Sequence, residues 1–192
     1  EAQYGAEGMG QTAENLVDLH GISREDQDAF ACWSHEKATA SKEWRQEEIV
    51  SVAIPRRKQE DLIFDDDEFI RPGTTREALS KLRPAFRKDG GSVTAGNSSG
   101  LNDGACALLY ASEAGMRSHG LQPLTEVLST AVVGVDPSIM GIGPVKASVL
   151  ALARAGLSID DMELIELNEA FAAQALACTR SWGLKDDDAR IN

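Results

Sequence analysis

The stretch Leu164-Ile165-Glu166-Leu167-Asn168-Glu169-Ala170-Phe171-Ala172-Ala173-Gln174 constrains the fold of this chain most, because a short apolar run turns abruptly into an alanine-rich helical pattern. A strand-length apolar run followed at once by a helix is the repeating unit of a parallel α/β sheet. In such sheets ligands collect at the carboxyl end of the strands, and Asn168 stands at that end. Two readings of Asn168 are open on this geometry: a cap for the helix N-terminus, or a polar side chain facing a pocket.

The chain is long enough, at 192 residues, to bury one sizeable core or two small ones. It has no run of 18 apolar residues, and Glu1-Ala2-Gln3-Tyr4 carries neither a basic nor an apolar leader pattern, so neither a membrane span nor a signal peptide is expected. A net charge of -12 argues against nonspecific nucleic-acid binding, which needs many cations to neutralise phosphates. Nine of the nineteen basic residues nevertheless fall between Pro55 and Gly90. Such a segment suits a small polyanion such as a nucleotide-bearing cofactor, or a solvated surface shared with the eight acids beside them.

Cys32, Cys106 and Cys178 are far apart and form no CxxC pair, so neither zinc nor a disulfide framework is expected. Cys106 and Cys178 lie in apolar and alanine-rich stretches and read as small core residues. His20, His35 and His119 have no partner motif and are not candidate catalysts. The acidic cluster Asp65-Asp66-Asp67-Glu68 lacks the glycine and distal glutamate of a calcium loop and reads as a solvated turn.

Taken in order, Met9 to Leu19 has helical spacing with Gly21 as its stop, and Ser23 with Asp26 opens a second helix running toward Ser41. Glu48 to Ile54 is rich in β-branched residues and reads as a strand ending at Pro55. The small-residue segment Val93-Thr94-Ala95-Gly96-Asn97-Ser98-Ser99-Gly100 is either a loop that approaches a ligand closely or a plain glycine turn. Within it, Asn97-Ser98-Ser99 fits a glycosylation acceptor. Ala105 to Ala111 reads as a strand, Ser112 to His119 as a helix stopped by Gly120, and Leu124 to Val135 as a long β-rich run. Gly141-Ile142-Gly143 is not a dinucleotide fingerprint, since Lys146 occupies the third glycine position and Pro144 opens a helix that stops at Gly156. A strand, the Asn168 helix to about Trp182, an acidic loop and the opening of a strand at Ala189-Arg190-Ile191-Asn192 complete the pattern.

Several of these phrases together resemble the thiolases, the acyl-CoA C-acyltransferases that cleave or condense 3-oxoacyl thioesters. They are Asn168-Glu169-Ala170-Phe171, Met9-Gly10-Gln11-Thr12-Ala13-Glu14-Asn15, Ile22-Ser23-Arg24-Glu25-Asp26-Gln27-Asp28, Leu82-Arg83-Pro84-Ala85-Phe86, the Val93 to Gly104 segment and Met140-Gly141-Ile142-Gly143-Pro144. The resemblance implies a layered αβαβα core with an inserted α/β loop domain, incomplete in this chain. On it, residues 1–100 are the loop domain covering coenzyme A, 101–122 the end of the N-terminal core domain and 123–192 the start of the C-terminal core domain.

The resemblance also assigns residues. Met9 packs along the pantetheine arm, Arg71 meets the nucleotide end of coenzyme A, and Ser99 bonds the pantetheine. Met140 and Phe171 line the acyl pocket. Asn168 is the catalytic residue, holding a water that bonds the thioester oxygen as an enolate forms.

The implied reaction is ping-pong thiolysis of a 3-oxoacyl-CoA to acetyl-CoA and a shortened acyl-CoA. Coenzyme A is a substrate, and no permanent cofactor, metal, nucleic acid or membrane partner is implied. The nucleophilic cysteine of the family, its Gly-His-Pro motif and its second catalytic cysteine do not occur here, so the chain alone is expected to be inactive. Gly8 stands where many biosynthetic members have a histidine, and the closing phrases are closer to degradative members, including the 3-oxoadipyl-CoA branch. A homodimer or homotetramer in the cytoplasm is implied for the full-length protein. The alternatives are a biosynthetic acetoacetyl-CoA enzyme and a noncatalytic coenzyme A or lipid binding protein of the same fold.

Overall fold

The computed structural model describes residues 7–192, so the leader pattern read at Glu1 to Tyr4 lies outside the described residues. Helix α1 (Met9–His20) follows the extended Gly8 and ends where Gly21 takes φ +61° and its N–H donates to the Val17 carbonyl. Glycine at that left-handed position avoids the Cβ penalty any other residue would carry. Helix α2 (Arg24–Ala40) opens on a complete capping box: the Ser23 hydroxyl accepts the Asp26 N–H at 3.0 Å, and the Asp26 carboxylate accepts the Ser23 N–H at 3.4 Å. A short helix α3 (Lys42–Gln46) leads into a hairpin of β1 (Val52–Ile54) and β2 (Leu62–Phe64), antiparallel with Val52 opposite Phe64 and Ile54 opposite Leu62. The β-branched run from Glu48 thus contributes only its last three residues to a strand.

Helix α4 (Arg76–Ser80) is capped by Thr75, and helix α5 (Glu113–His119) is capped by Ser112 and stopped by Gly120. A 3-10 turn (Pro137–Ile142) runs into helix α6 (Gly143–Ala155), which carries Pro144 in its first turn and stops at Gly156. By length and composition Pro137 to Ala155 would suffice to cross a membrane, with mean hydropathy 1.2. Ile139 breaks it with φ -129° and ψ 35°, and hydrogen bonds tie its first turn to α1 and to helix α7 (Ala172–Ser181), as surface-packed helices require.

The core lies where α1, α2 and α7 meet the 3-10 turn. Leu16, Ile22, Phe30, Ala172, Ala175, Leu176 and Ala177 are buried together, with Trp33, Ile139, Ile142 and Leu167 packed on them. Every residue from Ala172 to Thr179 is buried, so α7 is enclosed on all sides and its alanines let the neighbouring backbones come close.

Four expectations are corrected. Ala105 to Ala111 and Leu124 to Val135 form no ladder among the described residues, and Leu108, Leu109, Val127, Leu128 and Val132 are exposed. A strand exists only when its backbone groups are paired, and neither segment meets a partner here. Cys106, expected in a core, is accordingly exposed. The parallel pairing expected near the end of the chain is a single bridge, Ile165 with Ile191. Finally, α7 begins at Ala172 with Phe171 as its N-cap residue, so Asn168 does not cap it.

Candidate active site

The small-residue segment owes its shape to two buried polar side chains. Glu14 on α1 is fully buried and its carboxylate accepts the backbone N–H of Ser92 and of Val93, each at 3.0 Å. Asn97, only 2% exposed, accepts the Thr94 N–H at 2.7 Å and donates to the Asp28 carboxylate at 3.0 Å and to the Ser92 carbonyl at 3.2 Å. Its amide nitrogen is therefore enclosed and occupied, and the Asn97-Ser98-Ser99 sequon is not an accessible acceptor.

This rigid loop is stitched to the stretch around Asn168 through the backbone. The Ser99 N–H donates to the Ala170 carbonyl at 3.0 Å, and the Ala172 N–H to the Asn97 carbonyl at 2.9 Å. Ser98 and Phe171 form the bridge between them. The backbone of residues 170 to 172 is thus consumed by strand-like pairing, which is why the helix starts later than its alanine pattern suggests. The Ser98 hydroxyl donates to the Thr94 carbonyl at 2.6 Å, whereas the exposed Ser99 hydroxyl has no protein partner among the described residues. Of the two, only Ser99 is left to bind a ligand.

A cavity of about 220 Å³ opens beside this junction, lined by Ser34 and His35 from α2, Phe69 and Ile70, Ser98 and Ser99, and Glu169. Arg71 sits at its edge: its backbone N–H donates to His35 Nδ1 at 3.3 Å, and its guanidinium lies 5.8 Å from the centre of the Phe69 ring. Arg71 and Ser99 thus flank one opening. Burial, helped by the nearby Arg71 charge, holds the His35 imidazole below its ordinary pKa, which favours the neutral form that accepts the Arg71 N–H. Burial likewise pushes the Glu169 carboxyl up, although Ser34 and Lys37 oppose this.

The remaining candidates, Met9, Met140, Phe171 and Asn168, do not line this cavity. Met9 begins α1 and is half exposed. Beside it, Gly10 lies so close under Phe86 that a Cβ there would sit 2.1 Å from the ring. Phe86 in turn meets Phe171 edge to face, with ring centres 5.9 Å apart. Met140, also half exposed, projects from the 3-10 turn. Asn168 is exposed, immediately before Glu169 and Ala170, which are fixed to α2 and to the Ser99 loop.

The structure therefore brings Arg71 and Ser99 to one cavity edge and links the Ser99 loop through Phe171 and Phe86 to the start of α1, but does not bring Met140 or Asn168 to that cavity. Sequence reasoning did not single out Phe86, Glu169 or His35 as site residues. Phe86 and Glu169 lie within the recurrent phrases Leu82 to Phe86 and Asn168 to Phe171; His35 carries no signal, since its role depends on a contact with Arg71 across 36 positions. Among the described residues, no group of three or more His, Cys, Asp or Glu could hold a metal ion.

Both halves of the chain are matched in known proteins. The model for the thiolase N-terminal domain matches residues 1–114, and that for the thiolase C-terminal domain residues 121–192. The chain is 49% identical to a beta-ketoadipyl-CoA thiolase of Acinetobacter baylyi, with 100% of this chain and 48% of the relative aligned. It is 55% identical to an acetyl-CoA acetyltransferase of Pseudomonas aeruginosa, over 96% of this chain and 47% of the relative. Among solved structures, the Bacillus anthracis acetyl-CoA acetyltransferase superposes with a TM-score of 0.90 at 45% identity, covering 97% of this chain and 47% of that one. Human mitochondrial 3-ketoacyl-CoA thiolase gives a TM-score of 0.88, also at 45% identity, over 95% and 45%. The chain belongs to the thiolase family and has the thiolase fold. It spans about half the length of the relatives it matches.

Proposed function

We propose that the full-length protein catalyses thiolysis of a 3-oxoacyl-CoA, with coenzyme A as the second substrate. A cysteine thiolate outside this chain attacks the 3-oxo carbonyl; the bond between C2 and C3 breaks, and the electron pair leaves as the enolate of acetyl-CoA, which is then protonated. The acyl group on sulfur passes to the thiol of a second coenzyme A, so that covalent catalysis divides one difficult step into two. The residues of this chain bind and stabilise. Arg71 pairs with phosphate or stacks on adenine, Ser99 bonds the pantetheine amides, and Met9 packs along that arm. Met140 and Phe171 enclose the acyl group, while Asn168 orients the water that bonds the enolate oxygen.

The observation that carries this reading is the backbone join of Ser99 to Ala170, which sets a free hydroxyl beside the Asn168 stretch. The same reading makes residues 1–100 the loop domain, 101–122 the end of the first core domain and 123–192 the start of the second. Relatives of both names match, a beta-ketoadipyl-CoA thiolase at 49% identity and an acetyl-CoA acetyltransferase at 55%, so the degradative direction rests on the closing phrases of the chain, Ile165 to Phe171 and Asp186 to Arg190. Calorimetry with coenzyme A on the full-length protein and its Arg71→Ala and Ser99→Ala variants tests the placement. Each loss is expected to weaken binding by about 1 to 3 kcal/mol if the contact is charge-assisted. Unchanged affinity in both variants removes coenzyme A from this cavity, and binding without any release of acetyl-CoA from a 3-oxoacyl-CoA leaves a noncatalytic coenzyme A binding protein.

A further inference from the structure

The segment that carries Arg71 forms neither helix nor strand, and among the described residues the hydrogen bonds of residues 68–74 all close locally except one. The Phe69 N–H donates to the Asp67 carboxylate at 2.9 Å, and the Thr74 N–H and hydroxyl both donate to the Arg71 carbonyl, at 3.3 Å and 2.8 Å. Such bonds move with the loop and do not hold it to anything. The exception is the Arg71 N–H, which donates to His35 Nδ1 on α2 at 3.3 Å. The Phe69 ring supplies a second hold, packed so close on Gly100 that a Cβ there would sit 2.5 Å from a ring carbon. The ring thereby seats the loop beside Ser99, and the Arg71 guanidinium lies 5.8 Å from the centre of the same ring. An apolar ring contact permits sliding; the hydrogen bond fixes a backbone atom of Arg71 itself.

We infer that His35 is a positioning residue for coenzyme A: its Nδ1 holds the Arg71 backbone so that the guanidinium stays by Phe69, at the edge of the cavity that Ser99 lines. The inference rests on the coenzyme A placement proposed above. An arginine that must first be ordered gives up affinity when its ligand binds. His35 can make the bond only as a neutral imidazole with its proton on Nε2, the form that burial favours. A second proton sets a donor against the Arg71 N–H and a cation beside the guanidinium. The other charged groups around His35 are Asp67 and Glu169, which line the same cavity, while its neighbours one turn away on α2, Ala31, Cys32, Ala38 and Thr39, are uncharged. Charge alone would strengthen the binding of a phosphate-bearing ligand as the pH falls, whereas lost positioning weakens it, so the sign of the pH dependence separates the two.

The measurement is calorimetric affinity for coenzyme A from about pH 8 down to about pH 5, a range that spans the ordinary histidine value. It is made on the full-length protein and its His35→Asn, His35→Leu and Arg71→Ala variants, and on the variant combining His35→Leu with Arg71→Ala. Asparagine offers an oxygen near the place of Nδ1 and does not titrate; leucine offers no acceptor. At about pH 8, His35→Leu is expected to bind about 5-fold more weakly, the scale of one hydrogen bond, and His35→Asn within about 2-fold of wild type. Toward about pH 5 the wild type should lose affinity relative to His35→Asn and approach the His35→Leu level. Asp67, Glu169 and the phosphates of coenzyme A titrate in both proteins, so that difference belongs to His35. In the Arg71→Ala background, His35→Leu should cost nothing more, since both changes act through one side chain. A His35→Leu loss that persists in full there marks a merely structural role and overturns the inference. A ratio of wild-type to His35→Asn affinity that is constant with pH, or that moves toward tighter wild-type binding in acid, overturns it equally, and decides the matter should His35→Leu fail to fold. Arg71→Ala without effect on affinity fails the coenzyme A placement itself. That outcome is distinct from a weakened Arg71→Ala beside unchanged His35 variants, which fails this inference alone.

Discussion

Ser34 on α2 donates its hydroxyl to the Glu169 carboxylate at 2.5 Å across 135 residues of chain, joining the helix behind the cavity to the residue that follows Asn168. Lys37, one turn further along α2, stands 3.8 Å from the other carboxylate oxygen and donates to the Ile191 carbonyl at 3.1 Å. Two sides of the Asn168 turn are thereby anchored, one through this carboxylate and the other through the Ser99 loop.

The anchor has a pH signature. Burial pushes the Glu169 carboxyl above its ordinary value of 4.5, so the folded chain holds this proton more tightly than the unfolded one. Stability from this group is then fully present below pH 4.5 and falls as the pH rises through the folded value, because the unfolded state ionises first. Glu169→Gln keeps an acceptor for Ser34 and removes the charge. Urea unfolding of both proteins at several values from pH 4.5 upward should show the variant gaining on wild type as the pH rises. A stability difference that does not change with pH would contradict this assignment.

The loop that presents Ser99 depends on Glu14. Glu14→Ala leaves the backbone N–H groups of Ser92 and the fully buried Val93 without their acceptor. An expected loss of about 3 kcal/mol follows from stranding buried donors of a charged acceptor. Equilibrium denaturation reads it directly, and a loss below about 1 kcal/mol would mean that solvent reaches these groups.

Two cysteines should respond oppositely to alkylation. Burial pushes the Cys178 thiol up to about 11, while Cys106 is exposed. At pH 8 only about one Cys178 in a thousand is then thiolate, the reactive form. Iodoacetamide labelling of the folded chain, mapped by mass spectrometry, should modify Cys106 first and reach Cys178 only on unfolding. Equal labelling rates in the folded chain would show that α7 is not enclosed.

The helices were legible in the sequence wherever their ends are chemically marked. Ser23 with Asp26, and the glycines at 21, 120 and 156, announce caps that depend only on neighbours within one turn. The start of α7 was not legible, because the backbone from Ala170 to Ala172 is claimed by the 97 to 99 loop and nothing local records that claim. The hairpin partner Leu62–Phe64 was missed for a similar reason: three apolar residues are too short a run to declare a strand without their partner. The runs at 105 to 111 and 124 to 135 have the β-branched and apolar composition of strands, yet composition cannot supply the pairing that makes one. At the site, the residue types Ser99, Arg71 and Asn168 stood out in recurrent phrases. Their supports, Glu14, Asn97 and Ser34, act over contacts of long sequence separation that no spacing rule encodes.

In the proposed function, Asn168 stands where negative charge develops during thiolysis. Since α7 begins at Ala172, replacing Asn168 by aspartate leaves the helix cap untouched, and the fold and coenzyme A affinity should be retained. The new carboxylate would face the enolate and should lower turnover by roughly 100-fold or more, the scale of losing an oxyanion donor. The measurement is kcat for coenzyme A-dependent cleavage of a 3-oxoacyl-CoA by the full-length protein and its Asn168→Asp variant, with coenzyme A binding measured on the same samples. Binding kept and kcat strongly reduced is the expected result; a variant that turns over at the wild-type rate would leave Asn168 no part in stabilising the enolate.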